Sequence, residues 1–454
     1  MKIAVNKVKE LIEHRIFIFI ILGLAILFVN AGRKPSVDIA SGILLCMAGI
    51  TETRSVKVDS RIFVMLVLYT VFGFASSYII YGTIAKGYAA THIIFPIMYL
   101  TMSYLSDDEQ SLLRRLCIIF GFLLAFTGLV QFVYVSLVQS SIRLGGLIGN
   151  PNQLGMLLVI CYFIFIRSVE HDREKNSLWV SIEPIMLSAI ALTLSLGSII
   201  AMEAGMLIIL ISKIRENGKK AVFMFALRIL AKINIGMGLG ILLYISAAKS
   251  GMPWLSLPVL IYILIFAVNW KRFNCYLMKS RLATAIIAAS TVVLGMLIIM
   301  SRPSAAQTFT ERIEMMQDGA RYFSVNPIFG IGSYNWRHIN TVSGGKIFGT
   351  TQIHNTFLHT GVEMGIPAML SLAAIAITGL LKNKNIYARA ADFAFFLHSL
   401  ADVIFFNVGT TSLLIASNGE PSLKGRYVTP VLSKIIYAVF MAVSFVTLYW
   451  YIVN

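Results

Sequence analysis

No charged residue lies between Arg115 and Arg143, between Lys86 and Asp107, between Arg143 and Arg167, between Arg281 and Arg302, or from residue 435 to residue 454. A helix crosses the hydrocarbon core of a bilayer with about 20 apolar residues, each rising about 1.5 Å, and each of these runs is long enough. A soluble fold could not bury them all, and the composition agrees. Only 13% of the residues are charged and 57% are hydrophobic, against roughly 25% charged in soluble proteins. Mean hydropathy is +0.80. The runs are continuously apolar rather than alternating, which excludes a transmembrane β-barrel. A soluble enzyme, a disulfide scaffold and a disordered chain are excluded with it.

Fourteen apolar segments can be marked: 15–30, 37–51, 61–81, 88–105, 116–138, 152–168, 178–196, 198–212, 233–248, 253–270, 281–300, 354–381, 391–416 and 428–453. The expected fold class is therefore all-α, a polytopic transmembrane helix bundle of about 12–14 spans. Residues 1–300 hold the first eleven spans, 301–353 form one long loop, and 354–454 hold the C-terminal spans. The seventh and eighth segments meet in a tight hairpin at Gly197. Residues 221–232 read as an interfacial helix, because Arg228 and Lys232 interrupt an apolar stretch. The basic first residues followed by an apolar run resemble a leader, but Arg33 and Lys34 follow at once, so an uncleaved first span is expected.

The net charge is +17. Basic residues accumulate in cytoplasmic loops of membrane proteins, so no nucleic-acid partner is needed to explain it. With the N-terminus inside and the loops alternating, the inside segments hold 25 of the 38 Lys and Arg residues and the outside segments 13. That reading puts both termini inside, with residues 301–353 and Arg426 outside. Cys46, Cys117, Cys161 and Cys275 are scattered without a CxxC pair and read as packing residues. No metal site and no cofactor are expected.

The candidate chemistry gathers on the outside. In the long loop, Thr308 or Thr310 is placed to cap a helix with Glu311 and Glu314 in its first turns, and Ile313, Met316, Ala320 and Phe323 recur at helical spacing. Asn326-Pro327 ends it. Gly330 and Gly332 permit a sharp turn, Tyr334 and Trp336 follow, and the loop is expected to be ordered. It returns to the membrane at His354-Asn355, where a histidine at the outer mouth of a span can serve as a general base. Arg143, Arg302, Arg312, Arg321, Arg337 and Arg426 form an outer set of guanidinium groups suited to phosphate. Arg312 and Arg321, nine residues apart, fall on opposite faces of one helix. Asn150-Pro151-Asn152 breaks the chain before the sixth span. Glu183, Glu203, His398 and Asp402 are ionisable groups within spans, where charge is costly, and His398 and Asp402 are spaced to pair on one helix face.

The stretch from Arg312 to Ala320, then Asn326-Pro-Ile-Phe-Gly-Ile-Gly332, His354-Asn-Thr-Phe-Leu358 and Glu363-Met-Gly-Ile366, resembles the O-antigen ligase and O-antigen polymerase family in order and spacing. Asn150-Pro-Asn152 after Arg143 is similar as well. Arg321 to Gly332 fits the Arg-x10-Gly pattern of the family's polymerases, whereas Arg143 to Gly155 misses it by one residue. Family members often carry a Ser-Arg pair at the tight hairpin, and here the stretch is Ser195-Leu-Gly-Ser198 without arginine.

The resemblance implies a metal-independent inverting glycosyl transfer on the outer face of a bacterial cytoplasmic membrane. The donor is a glycan on undecaprenyl pyrophosphate. The acceptor is another lipid-linked repeat for a polymerase, or lipid A–core for a ligase. It implies catalytic roles for His354, Arg312 and Arg143, and substrate contacts from Arg321, Asn150, Asn152, Gly330, Gly332, Tyr334, Asn355 and Glu363. Membrane lipids, a chain-length regulator and a flippase are the implied companions. The Arg-x10-Gly fit favours polymerase. A transporter or flippase of a lipid-linked sugar, built on Glu203, His398 and Asp402, is the rival of another class, and it gives no reason for the His-Asn-x-x-Leu motif after a long outer loop.

Overall fold

The computed structural model describes residues 14–30, 32–138, 143–171, 177–302, 304–342, 348, 350–383, 385–418 and 425–454. Lys2, Lys7, Lys9, Arg173, Lys175, Lys346, Lys384 and Lys424, which contribute to the charge count, lie outside the described residues. The chain is all-α apart from one pair of three-residue strands among those residues. Seven described helices are long and apolar enough to cross a membrane, and a bent pair, Pro253–Val268 with Trp270–Leu277, would make an eighth. Six further apolar helices have 10–17 residues. Between them these helices account for every segment marked in the sequence.

Two compact units divide the chain. The first combines residues 1–113, 310–383 and 399–454. Small residues set its packing. A methyl on Gly49 would strike the Tyr437 ring, and one on Gly23 would only touch Leu45, so Pro35–Ile50 lies between Arg15–Asn30 and Pro430–Val453. Near the other end of Pro35–Ile50, Ile39 and Ile43 pack against Met441, Leu448 and Tyr451. The last helix therefore runs antiparallel to Pro35–Ile50.

Strand Val56–Val58 pairs antiparallel with Arg426–Val428, with Val58 opposite Arg426. This corrects the loop assignment made from charge. Arg426 lies at the end of the unit that holds Lys57, the Glu52–Arg54 ion pair and the His14–Glu109 pair. The last helix starts there and finishes at the opposite end, so His14 and Asn454 do not share a side of this unit. The physical reason is a break. The segment counted as one span at 391–416 is two helices, Ile386–Ser399 and Val408–Ser417, with a 3₁₀ turn at Ile404–Phe406 between them. The transfer of Arg426 and Lys434 to the basic end strengthens the positive-inside bias there.

The second unit combines residues 114–309 and 384–398. The expected interfacial helix at 221–232 is instead the first part of one continuous helix, Lys219–Ala248. Nothing in the sequence breaks it, and Lys232 turns to the buried carboxylate of Glu183, 3.3 Å away. Trp270 Nε1 donates to the same carboxylate at 2.9 Å and the Tyr162 hydroxyl to its other oxygen at 3.3 Å. Glu183 is thus the polar centre of an apolar helix packing. Asn234 donates to the carbonyls of Ile287 and Ala288 and to the Thr291 hydroxyl, which satisfies the backbone where Arg281–Ala289 gives way to Thr291–Met300.

Candidate functional site

Among the described residues of the long loop, 310–342, 348 and 350–353 belong to the first unit. Its helix, Ala305–Phe323, begins before Thr308 and Thr310, so neither caps it; Thr308 donates within the helix to the Ser304 carbonyl. A second helix, Asn335–Val342, follows. Trp336, fully buried, is the centre of a small core with Met315, Ile331, Ile353 and Val362.

Glu363 fixes this loop. Its carboxylate is fully buried and accepts from the backbone N–H of Tyr334 at 2.9 Å and of Trp336 at 3.2 Å. Gly330, Gly332 and Tyr334 all have positive φ, at 70°, 94° and 67°. This backbone brings the N–H groups of Tyr334 and Trp336 onto one carboxyl group of the protein itself, and the Gly332 N–H onto the Glu363 carbonyl at 3.1 Å. Tyr334 holds a conformation that costs a non-glycine residue about 1–3 kcal/mol, and burial pushes its phenol above the ordinary value. Methyl groups at Gly330 and Gly332 would meet the Glu363 backbone at 2.5 Å and Ile80 at 2.8 Å. The two glycines therefore serve close packing of the loop, and Glu363 is a buried lock on it.

His354 and Arg312 come together on a residue that the sequence placed elsewhere. Asp402 Oδ1 is 3.2 Å from His354 Nδ1, and Asp402 Oδ2 accepts from Arg312 Nη2 at 3.1 Å. The carboxylate is only 4% exposed, while the His354 and Arg312 side chains are 22% and 15% exposed. Asp402 is itself held: Val403 N–H donates to Oδ1 at 2.8 Å, and the Thr356 hydroxyl donates to its carbonyl at 2.8 Å. The expected His398–Asp402 pairing along one helix face does not form, because the helix ends at Ser399 and Asp402 lies in the break beyond it. His398 Nδ1 instead lies 3.4 Å from the Ser198 hydroxyl, in the second unit.

A histidine that donates from Nδ1 to a carboxylate keeps Nε2 as its acceptor. Its ring orientation is fixed from the next residue onward. Asn355 caps the helix Thr356–Met364 by accepting from Leu358 N–H at 3.0 Å, so Asn355 is a structural cap. Arg321 is exposed on the loop helix, half a helical turn from the Arg312 face. Beneath, the Tyr88 hydroxyl joins Gln352 Nε2 at 3.1 Å to the fully buried His359 at 3.4 Å. No motif reading singled out this inner chain.

Arg143 belongs to the second unit and has its own setting. Its Nε donates to the Thr193 carbonyl at 2.9 Å, and Nη2 to Asn152 Oδ1 at 2.8 Å. Asn150 caps the helix Pro151–His171 through Asn152 N–H at 2.9 Å. Of the sequence candidates, His354 and Arg312 therefore share one carboxylate, Arg143 and Asn152 share a hydrogen bond, and Gly330, Gly332, Tyr334 and Glu363 form the loop's locked turn. Asp402 was visible as an in-span carboxylate, but its partners were not. No group of three or more metal-ligating side chains occurs among the described residues.

The family model described as O-antigen ligase matches residues 236–373. The matched stretch contains Arg312, His354 and Glu363 and ends before Asp402. No curated protein matches the chain.

Proposed function

We propose that this chain, for which the match over residues 236–373 supports membership of the O-antigen ligase/polymerase family, polymerises lipid-linked oligosaccharide repeats. The family implies a membrane glycosyltransferase-like activity on lipid-linked glycans. The finer reading is transfer from an undecaprenyl-pyrophosphate-linked glycan to the sugar hydroxyl of a second lipid-linked repeat, on the outer face of the cytoplasmic membrane. The observation that carries it is the His354–Asp402–Arg312 constellation.

In this reading His354 Nε2 accepts the proton of the attacking hydroxyl, and the Asp402 carboxylate stabilises the imidazolium that forms. Arg312 stabilises charge developing on the departing pyrophosphate, and its bond to Asp402 holds the fork in place. The leaving group is already activated, so the proposed steps need only a base and fixed positive charge. The glycan bond breaks toward the pyrophosphate oxygen as the hydroxyl oxygen bonds the anomeric carbon from the opposite side, which inverts its configuration. Transfer to lipid A–core uses the same groups with a different acceptor. A rival transport role has less support, because Asp402, one of its three supposed core groups, is engaged by His354 and Arg312.

The test is His354→Ala in purified full-length protein supplied with lipid-linked repeats. A loss of about 10²–10⁴-fold in elongation rate is expected for a missing general base. Elongation at the parental rate would reduce His354 to a structural residue.

A further inference from the structure

In the first unit, the helices Arg15–Asn30 and Pro35–Ile50 each have 16 residues. At about 1.5 Å per residue each is about 24 Å long, against roughly 30 Å of hydrocarbon. Arg15 Nη2 donates to the Thr51 carbonyl at 2.7 Å, so one helix starts beside the end of the other, and the turn at residues 32–34 lies at the end of the unit opposite the strand pair. A hairpin this short keeps its turn close to the level of the lipid phosphates, which long basic side chains reach by snorkelling. Beside the turn lies a groove of about 460 Å³, walled by Ala25, Ile26, Val29 and Val37 and by two exposed cations, Arg33 and Lys34. That volume is within the range of ligand pockets, about 300–1,000 Å³. The dibasic turn is held in place. Buried Asn30 donates through Nδ2 to the Lys34 carbonyl at 2.9 Å and to Asp38 Oδ1 at 2.7 Å, and its Oδ1 accepts from the Lys34 N–H at 3.0 Å. The Arg33 N–H donates to the Asn30 carbonyl at 3.0 Å. Asp38, the one acid between residues 15 and 51, is buried and turned to Asn30.

We propose that this groove binds an anionic phospholipid, with its phosphodiester at Arg33 and Lys34 and one acyl chain along Ala25, Ile26 and Val29. Basic residues gather at the other end of the unit, around Lys57, Arg61 and Arg426, so two adjacent cations here run against the positive-inside bias. A guanidinium fork suits two phosphoryl oxygens, and the neighbouring ammonium adds a point charge. Ala25 and Val29 are exposed and four residues apart, on one face of their helix. The groove therefore opens sideways to the bilayer, which favours a bilayer lipid over a soluble phosphate. Lipid tails are as apolar as the groove walls, so the tail contributes packing and the headgroup charge decides which lipid stays. The site involves no glycan transfer and is independent of the function proposed above.

Dioleoylphosphatidylglycerol is titrated into the purified full-length protein in neutral detergent, and bound lipid is counted by native mass spectrometry. The wild type is expected to hold one molecule about 25-fold more tightly than dioleoylphosphatidylcholine. Arg33→Gln or Lys34→Gln alone should weaken binding about 5-fold and the two together about 25-fold, the scale of one basic residue each at an anionic surface. Ala25→Phe, which fills the groove and leaves both cations, should weaken it too. Lys57→Gln with Arg61→Gln, an equal loss of charge at the opposite end, should leave it unchanged. Thermal melting checks that each variant is folded, and the single substitutions decide if the Arg33/Lys34 double variant is not. Unchanged affinity in the folded Arg33 and Lys34 variants, equal binding of phosphatidylcholine, or an equal loss from Lys57→Gln with Arg61→Gln overturns the site. Unchanged affinity in folded Ala25→Phe overturns the placement of the acyl chain in the groove. Displacement by undecaprenyl phosphate at a tenth of the phosphatidylglycerol concentration gives the groove to a polyprenyl carrier and overturns the phospholipid assignment.

Discussion

Asp402→Asn is the substitution that most directly probes the site. The carboxylate receives both His354 Nδ1, at 3.2 Å, and Arg312 Nη2, at 3.1 Å. An amide of the same shape has one acceptor oxygen and no charge, so it cannot serve both as an acceptor for a cation. Hydrogen bonds to charged groups contribute about 1.5–3 kcal/mol each. Two of them give about 3–6 kcal/mol, of which only the part that grows in the transition state affects rate. A loss of about 10²–10⁴-fold in elongation is expected, comparable to removal of the base itself. The assay is elongation of lipid-linked glycan by purified full-length protein, with melting followed in parallel, because an arginine left beside a buried amide destabilises as well. The informative comparison is the double variant. If Asp402 works through His354, Asp402→Asn costs little once His354 is Ala. Full additivity of the two losses, or an Asp402→Asn rate within threefold of parental, would refute the reasoning.

Arg312→Lys is expected to lower elongation about tenfold or more, since an ammonium keeps the charge and loses the fork; the same assay measures it. Gly365→Ala should prevent stable folding, seen as loss of a monodisperse species in detergent: the residue has φ 88° and its added methyl would collide with the Ile328 carbonyl. A cysteine placed after Asn454 should react with an impermeant reagent from the side opposite to one placed at Thr53, and labelling from the same side would refute the antiparallel placement of the last helix. Glu52 provides a pH test. Burial raises its pKa, but the Arg54 fork and the N–H groups of Arg54 and Thr53 outweigh that and hold it at about 2, below its ordinary 4.5. Its contribution is therefore full above pH 4.5 and lost as pH falls toward 2. Glu52→Gln should lower stability by about 1–2 kcal/mol at pH 7, after allowance for solvent screening, and the gap should close on acidification in a melting series.

Much of this was readable in advance, for physical reasons that can be named. Bilayer-length apolar runs announce themselves because a span must satisfy its backbone internally, and each marked segment appears as helix. His354 and Arg312 could be marked as candidates because one closes a long loop just before a helix and the other lies on a helix with a clear apolar face. Their common partner was not. Asp402 sits in a break that hydropathy does not register, since Val403, Ile404, Phe405 and Phe406 keep the segment apolar while its helix stops. The same break upset the parity of the loop count and misplaced Arg426. The resemblance implied a substrate contact for Glu363, but the lock it forms on the loop depends on three positive φ angles that only coordinates reveal. Lys232 misled because a buried partner, Glu183, lay distant in sequence.

The strand pair between Val56–Val58 and Arg426–Val428 has a consequence for how the molecule is made. Roughly 370 residues separate its halves, and at about 5–20 residues per second their synthesis takes about 20–75 s. Throughout that interval Pro35–Ile50 is inserted without its neighbour Pro430–Val453, and the face at Gly49 that will receive Tyr437 has only lipid or an insertion factor against it. The first unit is thus begun first and closed last, after the whole second unit has emerged. Ribosome stalling or truncation before residue 426 would leave most of the spans in place with that seam open.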